Sequence, residues 1–184
     1  MRSILFIIFV AFIFFVSCKS PEARRPVKQA SGTFIEASAE RNKKIFESEK
    51  SQIEALINAD STLNYKSSDS GFWYHYVTKD TLTSQKPVLG DKITFTYNVK
   101  KLDGTVILSE EENGLQQYKV DQSNQELISG IRDGIKLMKV GETITFLFPS
   151  YKAYGYYGID NKLGTNVPIQ STVTLKSIEQ PIEN

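Results

Sequence analysis

The most regular pattern in the chain is an alternation of apolar and polar residues over positions 92–101. Its apolar positions are Ile93, Phe95, Tyr97 and Val99. Successive side chains of a β-strand point to opposite faces of a sheet, so this period of two predicts a half-buried strand. Asp103 and Gly104 follow as a tight-turn signal, and Val106–Leu108 begins the return strand of a predicted hairpin.

Three further segments have the composition of strands. Residues 142–148 alternate between polar and apolar side chains until Pro149. Residues 172–178 form a last strand rich in β-branched side chains, and residues 72–77 are an aromatic run that follows a turn signal at 69–71. Alternation and aromatic enrichment are both typical of strands in an antiparallel sheet.

One short helix is predicted between these strands. Ser123 and Glu126 have the spacing of a capping box, in which each side chain bonds the backbone of the other residue. The apolar positions that follow lie on one helical face and are Leu127, Ile128, Ile131 and Ile135. Gly141 is placed to end this helix. Antiparallel strands around a single helix make an α+β domain, which we predict over residues 88–180.

A longer helix is predicted at residues 33–60. Thr33 and Glu36 also have capping-box spacing, and no Gly or Pro interrupts the chain from there to Asn58. The apolar stripe is thin at the start and denser towards the end, so the helix is expected to pack on another surface. The pattern leaves open whether that surface is its own domain or a second copy in a homodimer. Residues 61–87 are predicted to hold the aromatic strand and a linker.

The N-terminus has the pattern of an export signal. Arg2 precedes thirteen consecutive apolar residues at positions 4–16. A membrane-spanning helix needs about 20 such residues, so this run fits the apolar region of a cleaved signal better than a permanent membrane helix. We therefore predict a signal peptide over residues 1–17.

Cys18 is the only cysteine, which excludes an intrachain disulfide. Residues 15–18, Phe-Val-Ser-Cys, resemble a bacterial lipobox, which implies cleavage before Cys18 and attachment of fatty acyl chains to it. A free or buried thiol is the alternative. Residues 18–32 contain two prolines and suit a flexible tether between the lipid and the folded part. The expected location is the cell envelope, with the protein lipid-anchored and facing the periplasm rather than the cell surface.

The charge balance argues against nucleic acid as a partner. The chain has 22 basic and 21 acidic residues, and removal of Arg2 with the signal peptide leaves 21 of each. A neutral chain without a basic stripe lacks the attraction to phosphates that drives such binding. His75 is the sole histidine, so neither a metal site nor a histidine-based nucleophile pair is expected. We predict that His75 is a strand residue and that no metal or cofactor is required.

Short motifs follow one another through the second half of the chain. They are Val88-Leu-Gly-Asp91, Tyr97, Leu102-Asp-Gly104, Glu126-Leu-Ile-Ser-Gly130, Gly134, Met138-Lys-Val-Gly-Glu142, Phe148-Pro-Ser150, Ala153-Tyr-Gly155 and Val167-Pro168. In order and spacing they resemble the FK506-binding type of peptidyl-prolyl cis/trans isomerases. That resemblance implies a curved antiparallel sheet wrapped round one short helix, with a cleft between them. The stretches 130–139, 148–150 and 154–155 look like the gliding-motility-associated lipoprotein isomerases of Bacteroidetes in particular.

The resemblance implies catalytic positions at Tyr97, Tyr154 and Ile128, with the Tyr154 hydroxyl and the Ile128 N–H binding substrate carbonyls. The implied substrate-binding positions are Ile107, Tyr118, Val120, Leu127, Ile131, Val167 and Leu175. Apart from the resemblance, most of these would be interpreted as ordinary core residues. The chain departs from the family at Leu108, where an Asp is usual, and at Ile131, where a Trp is usual. The implied cleft is therefore less polar and less aromatic.

The implied reaction is the isomerisation of X-Pro bonds in proline-containing polypeptides of the envelope, in support of gliding-motility or secretion machinery. Rotation about a peptide bond faces a barrier of about 18–20 kcal/mol, and no covalent bond breaks. A cleft without water disfavours the charge-separated planar amide relative to the twisted one, so no acid, base, nucleophile or metal is needed. The alternative is a non-catalytic chaperone or assembly module that uses the same cleft to hold a partner chain.

Overall fold

The computed structural model describes residues 31–81, 85–122 and 127–181. The chain divides into two compact units, Met1–Ala37 and Ser38–Asn184. The signal peptide, Cys18 and almost all of the tether predicted from the sequence lie outside the described residues. Within those residues, no helix has the length and apolar character needed to cross a membrane.

Helix α1 spans Ser31–Ala59, against the predicted 33–60. It begins two residues before the capping-box pattern at Thr33 and Glu36. In the first unit, the described residues 31–37 are all helical. In the second unit, the side chains of Glu49 and Ile53 are buried. The denser apolar stripe at the end of the helix therefore packs within the second unit. This is the first of the two alternatives that the sequence left open.

Within the described residues, eight strands form one antiparallel sheet in the order β1-β2-β7-β8-β3-β6, and β4 pairs with both β5 and β8. The strands are β1 (Lys66–Ser67), β2 (Trp73–Thr78), β3 (Lys92–Tyr97), β4 (Val99–Lys101), β5 (Val106–Leu108), β6 (Gln116–Lys119), β7 (Thr143–Phe148) and β8 (Ile169–Glu179). The helices that follow α1 are α2 (Glu110–Asn113) and α3 (Ser129–Ile135), with a 3-10 turn at Ser150–Lys152. The predicted α+β class, an antiparallel sheet with one short buried helix and an N-terminal helix, is confirmed.

The alternating segment 92–101 is two strands rather than one, because the pairing breaks at Asn98. The Thr172 N–H donates to Asn98 Oδ1 at 3.0 Å, and the Asn98 N–H donates to the Thr172 carbonyl at 3.1 Å. The side chain of Asn98 thus takes a place in the ladder that a backbone carbonyl would normally hold. Beyond this break, the chain forms the predicted hairpin, with Gly104 at φ +88° in its turn.

The aromatic strand β2 belongs to the main sheet. It pairs antiparallel with β7 from Trp73 to Thr78. Phe72, which directly precedes it, is 1% exposed, and its ring lies 5.7 Å from that of Phe146 and 5.4 Å from that of Phe148, centroid to centroid. The segment predicted as a strand and linker before the domain therefore contributes to the same core.

Helix α3 is shorter than the sequence indicated. It ends at Ile135, and its last turn tightens through bonds from Leu137 N to Gly134 O and from Met138 N to Ile135 O, at 3.0 and 2.9 Å. The prediction that Gly141 ends the helix is wrong. Gly141 instead occupies a turn at φ +84° just before β7, where its N–H donates to the Leu175 carbonyl. The capping-box residues Ser123 and Glu126 lie outside the described residues.

Two glycines let α3 lie directly on β7. A Cβ added to Gly134 would stand 2.8 Å from the ring of Phe146. A Cβ added to Gly130 would stand 2.6 Å from the ring of Phe148 and 2.8 Å from the Lys152 carbonyl oxygen. Both rings are fully buried and stack on each other at 5.4 Å, so neither can move aside freely. Glycine is a poor helix former, but at positions 130 and 134 only glycine permits the short distance between α3 and the rings of β7.

We predict that Gly130→Ala destabilises the protein. The helix gains about 1 kcal/mol of propensity, but overpacking against a fixed ring and a backbone carbonyl costs about 1–3 kcal/mol or more. Urea unfolding should give a lower free energy of unfolding than for the unchanged protein. Gly32→Ala is the matched control, because a Cβ there meets nothing within 4 Å. Equal or higher stability of Gly130→Ala would show that α3 can move away from β7 at no cost.

Candidate active site

The structure brings Tyr97 and Tyr154 together. Tyr97 is the last residue of β3, and Tyr154 lies in the loop after the 3-10 turn that follows β7. The Tyr154 hydroxyl donates a hydrogen bond to the Tyr97 hydroxyl. Both side chains are half-buried and pack against the hydrophobic core. Two of the three predicted catalytic residues therefore meet at the boundary between core and solvent.

Neither hydroxyl of this pair is an acid or base at physiological pH. Burial raises the pKa of Tyr97, and the hydrogen bond from Tyr154 offsets this only in part. Burial also raises the pKa of Tyr154, which the adjacent Tyr97 raises further, well above the usual tyrosine range. Both groups stay protonated and neutral, so their chemistry is to donate and accept hydrogen bonds.

The loop that carries Tyr154 is held by the carbonyl of Ser150. Pro149 directly precedes the 3-10 turn Ser150–Lys152. The Ser150 carbonyl then accepts the N–H of Ala153 at 2.9 Å and the N–H of Gly155 at 2.8 Å. These are the residues on either side of Tyr154. Gly155 has φ +53°, a left-handed conformation that a glycine adopts without strain.

A second set of contacts ties this loop to α3. The Lys152 ammonium lies 2.9 Å from the Asp133 carboxylate, and the Ser129 hydroxyl donates to the Lys152 carbonyl at 3.3 Å. Both α3 residues lie within one or two turns of Ile128. The loop with Tyr154 is therefore attached to the start of α3 by an ion pair and a hydrogen bond.

Ile128 stands at the N-cap of α3 with extended dihedral angles, φ −55° and ψ 143°. Its carbonyl accepts the N–H of Arg132 at 3.2 Å. The N–H of an N-cap residue has no acceptor inside the helix that it precedes. The side chain of Ile128 is half-buried against the core. This is the position from which the predicted backbone donor could reach a bound chain.

The predicted substrate-binding residues divide by burial. The buried set, which belongs to the core itself, is Ile107, Tyr118, Val120, Ile131 and Leu175. Leu127 and Val167 are half-buried and pack on that core, as do the three predicted catalytic residues. The Tyr118 hydroxyl accepts the N–H of Asp121 at 3.0 Å. We call the five buried positions the base and the five half-buried positions the rim. That they line one cleft, and their roles in binding, remain predictions.

His75 lies in β2, as predicted from the sequence, and packs edge-on against Tyr65 with ring centroids 4.6 Å apart. Burial lowers its pKa, although a backbone hydrogen bond and Asp60 oppose that shift. In the part of the chain that the structure describes, no cluster of His, Cys, Asp and Glu side chains could hold a metal ion.

Sequence reasoning missed one polar pair beside this loop. Glu49 of α1 accepts hydrogen bonds from the Ser150 N–H at 2.7 Å and from the Ser150 hydroxyl at 2.6 Å. Both residues are nearly fully buried, at 3% and 4% exposed. A signal was present in the spacing, since Glu49 stands four residues from both Ile45 and Ile53 on the face that packs inward.

An antiparallel sheet packed on one short helix, with hydrogen-bonded tyrosines at the edge of an apolar base, defines the class of the protein. The family model described as FKBP-type peptidyl-prolyl cis-trans isomerase matches residues 83–176, slightly more than half of the chain. The chain belongs to this family.

Two curated relatives extend the likeness beyond the matched range. The chain is 30% identical over 145 residues to a probable FKBP-type peptidyl-prolyl cis-trans isomerase FkpA of Neisseria meningitidis, covering 78% of this chain and 52% of that protein. It is 30% identical over 143 residues to FkpA of Aeromonas hydrophila, covering 78% and 51%. The chain thus spans about half the length of these relatives.

Solved structures share the fold. The crystal structure of FkpA from Escherichia coli matches 98% of this chain and 83% of its own, with a TM-score of 0.59 and 20% identity. A peptidyl-prolyl cis-trans isomerase from Pseudomonas syringae pv. tomato matches 75% of this chain and 96% of its own, with a TM-score of 0.60 and 20% identity.

We predict that Tyr154→Phe lowers the acceleration of X-Pro isomerisation by about fivefold, because one hydrogen bond contributes about 1 kcal/mol. Tyr157→Phe is the matched control, since Tyr157 lies in the same loop and is 90% exposed. His75→Ala should also leave the rate unchanged. The measurement is the relaxation of a cis-proline peptide at equal concentrations of folded protein. Equal losses in Tyr154→Phe and His75→Ala would contradict the assignment of Tyr154.

Proposed function

We propose that this chain catalyses the cis/trans isomerisation of X-Pro bonds in polypeptides. The observation that carries the proposal is the Tyr97–Tyr154 hydroxyl pair at the rim of an apolar base in a chain of this family. A proline-containing segment that lies on the rim would meet Tyr154 on one side and the start of α3 with Ile128 on the other.

The proposed mechanism needs only geometry and the exclusion of water. The planar amide is more charge-separated than the twisted one, so an apolar surface such as that of the half-buried Leu127 and Val167 favours rotation. The Tyr154 hydroxyl would turn its single hydrogen from Tyr97 to a substrate carbonyl. The N–H of Ile128 would bind a neighbouring carbonyl while the X-Pro bond turns. Since both tyrosines stay neutral, the proposed reaction involves no proton transfer.

A second candidate function is non-catalytic binding of a partner chain. Three tyrosines near Tyr154 are exposed, namely Tyr151, Tyr156 and Tyr157, at 51%, 76% and 90%. Clustered exposed aromatic side chains are typical of interaction surfaces. Such a surface would hold a chain whether or not its proline bonds isomerise.

The deciding experiment measures cis-to-trans relaxation of a short X-Pro peptide with and without the purified protein. We expect a rate that increases linearly with protein at micromolar concentration. Binding of the same peptide is measured in parallel by its NMR line widths. Binding without acceleration would favour the holding function, and neither binding nor acceleration would reject both.

We also propose that Cys18 is lipidated, that the protein faces the periplasm, and that it serves gliding-motility or secretion machinery. The support is the apolar run at 4–16, the lipobox-like residues 15–18, and the likeness of 130–139 to gliding-motility-associated lipoproteins. A proline isomerase on a tether would act on chains that fold close to the membrane.

We further propose that α1 pairs with a second copy of the chain. Phe34 and Ile35 are 76% and 64% exposed within the first unit. Apolar side chains of this size at one end of a helix are suited to an interface between two copies. Burial against a second helix would remove both from water.

We predict that Cys18→Ala releases the protein from membranes, because the acyl chains have no other attachment site. The unchanged protein should remain in the membrane pellet after an alkaline wash, and the variant should appear in the supernatant. Ser20→Ala, which leaves residues 15–18 intact, is the control and should stay in the pellet. A Cys18→Ala variant that still pellets would rule out lipid anchoring at this residue.

A further inference from the structure

We propose that Glu49 of α1 is a positioning residue for Tyr154. The inference rests on the proposed isomerase function and assigns the N-terminal helix a part in it. Glu49 lies far from Tyr154 in sequence and acts through Ser150. The Ser150 carbonyl accepts the N–H groups of the residues on either side of Tyr154. Helix α1 would thereby fix the position and orientation of the Tyr154 side chain.

The contact itself is buried and specific. The two carboxylate oxygens of Glu49 divide between the two donors of Ser150, with Oε2 taking the backbone N–H at 2.7 Å and Oε1 the hydroxyl at 2.6 Å. Hydrogen bonds to a charged acceptor are short and stronger than neutral ones. With both donors bound to one carboxylate, Ser150 is constrained in rotation as well as position.

The constraint passes from Ser150 to Tyr154 through short bonds. The Ser150 carbonyl receives the N–H groups of Ala153 and Gly155 at 2.9 and 2.8 Å. Both neighbours of Tyr154 are thus bonded to the same carbonyl oxygen. On the opposite side, the loop is attached to α3 through Lys152. Loss of Glu49 would remove the buried acceptor that holds Ser150 and would leave the attachment to α3 in place.

Helix docking alone would not require a carboxylate at this position. Ile53 is fully buried, and Phe46 packs edge-on against Tyr151 with ring centroids 5.7 Å apart. Apolar contacts such as these dock a helix without the cost of removing a charge from water. A carboxylate that accepts hydrogen bonds from both donors of one loop residue is better explained by control of that loop.

The test compares variants of the full chain that match Glu49 in size. Glu49→Leu fills the space without accepting a hydrogen bond. Glu49→Gln keeps an acceptor for the Ser150 N–H and is the conservative rescue. Glu47→Gln makes the same charge change at an exposed position of the same helix and is the control. Each variant is made with and without 3-fluorotyrosine at position 154.

Two measurements are made at a temperature where urea unfolding shows each variant to be folded. One is kcat and KM for an X-Pro peptide, and the other is the ¹⁹F resonance of fluorotyrosine 154. Because small displacements of a reacting group are costly, Glu49→Leu should lower kcat by about tenfold while KM changes by less than about twofold. Its resonance should shift and broaden. Glu49→Gln should recover most of the rate, and Glu47→Gln should match the unchanged protein.

The ¹⁹F resonance of fluorotyrosine 154 reports on the position of Tyr154 whether or not the protein is catalytic. It therefore tests the positioning role separately from the proposed function. If the unchanged protein isomerises no peptide, the proposed function fails, but a shifted resonance in Glu49→Leu alone still supports the positioning role. An unchanged resonance and kcat in folded Glu49→Leu would overturn it. If that variant does not fold, Ser150→Ala replaces it, because it removes one of the two bonds. A resonance and kcat equal to those of the unchanged protein in Ser150→Ala would then overturn the inference.

Discussion

The close packing of β7 on α3 is the contact on which the remaining structure depends. Phe146 and Phe148 stack on each other and fill the space that the missing side chains of Gly130 and Gly134 leave open. That contact fixes the start of α3, and therefore Ile128, relative to the end of β7. Since the loop with Tyr154 leaves directly from that end, the same two rings fix both predicted hydrogen-bonding groups.

The hydroxyl pair completes this arrangement without introducing charge. A tyrosine that is half-buried needs a partner for its hydroxyl, and Tyr97 and Tyr154 provide one for each other. The bond joins the end of β3 to the loop after β7, which pack on the core from separate elements. The polar side chains of the predicted catalytic residues are therefore neutral donors and acceptors.

The local sequence pattern predicted those strands and turns whose structure is set by neighbouring residues. Strands β3 and β7 and the hairpin at Gly104 follow from alternation and turn chemistry within a few residues. The break at Asn98 could not be predicted, because it depends on a bond to Thr172 in a distant strand. The tightened end of α3 arises from packing rather than from Gly141. The motif resemblance indicated Tyr97 and Tyr154, but the bond between them and the contact of Glu49 with Ser150 are tertiary.

The core, rather than the range of the family motifs, sets the limits of the folding unit. The family match covers residues 83–176, yet Phe72 lies outside it and packs on Phe146 and Phe148 inside it. Without Phe72, those rings would lose an edge contact, and without the adjoining strand β2, β7 would become an edge strand of the sheet. Without Glu49, the N–H and hydroxyl of Ser150 would lose their acceptor at a buried position, which costs more than an unmade surface bond. The segment before residue 83 is therefore a structural part of the folded unit and not only a spacer.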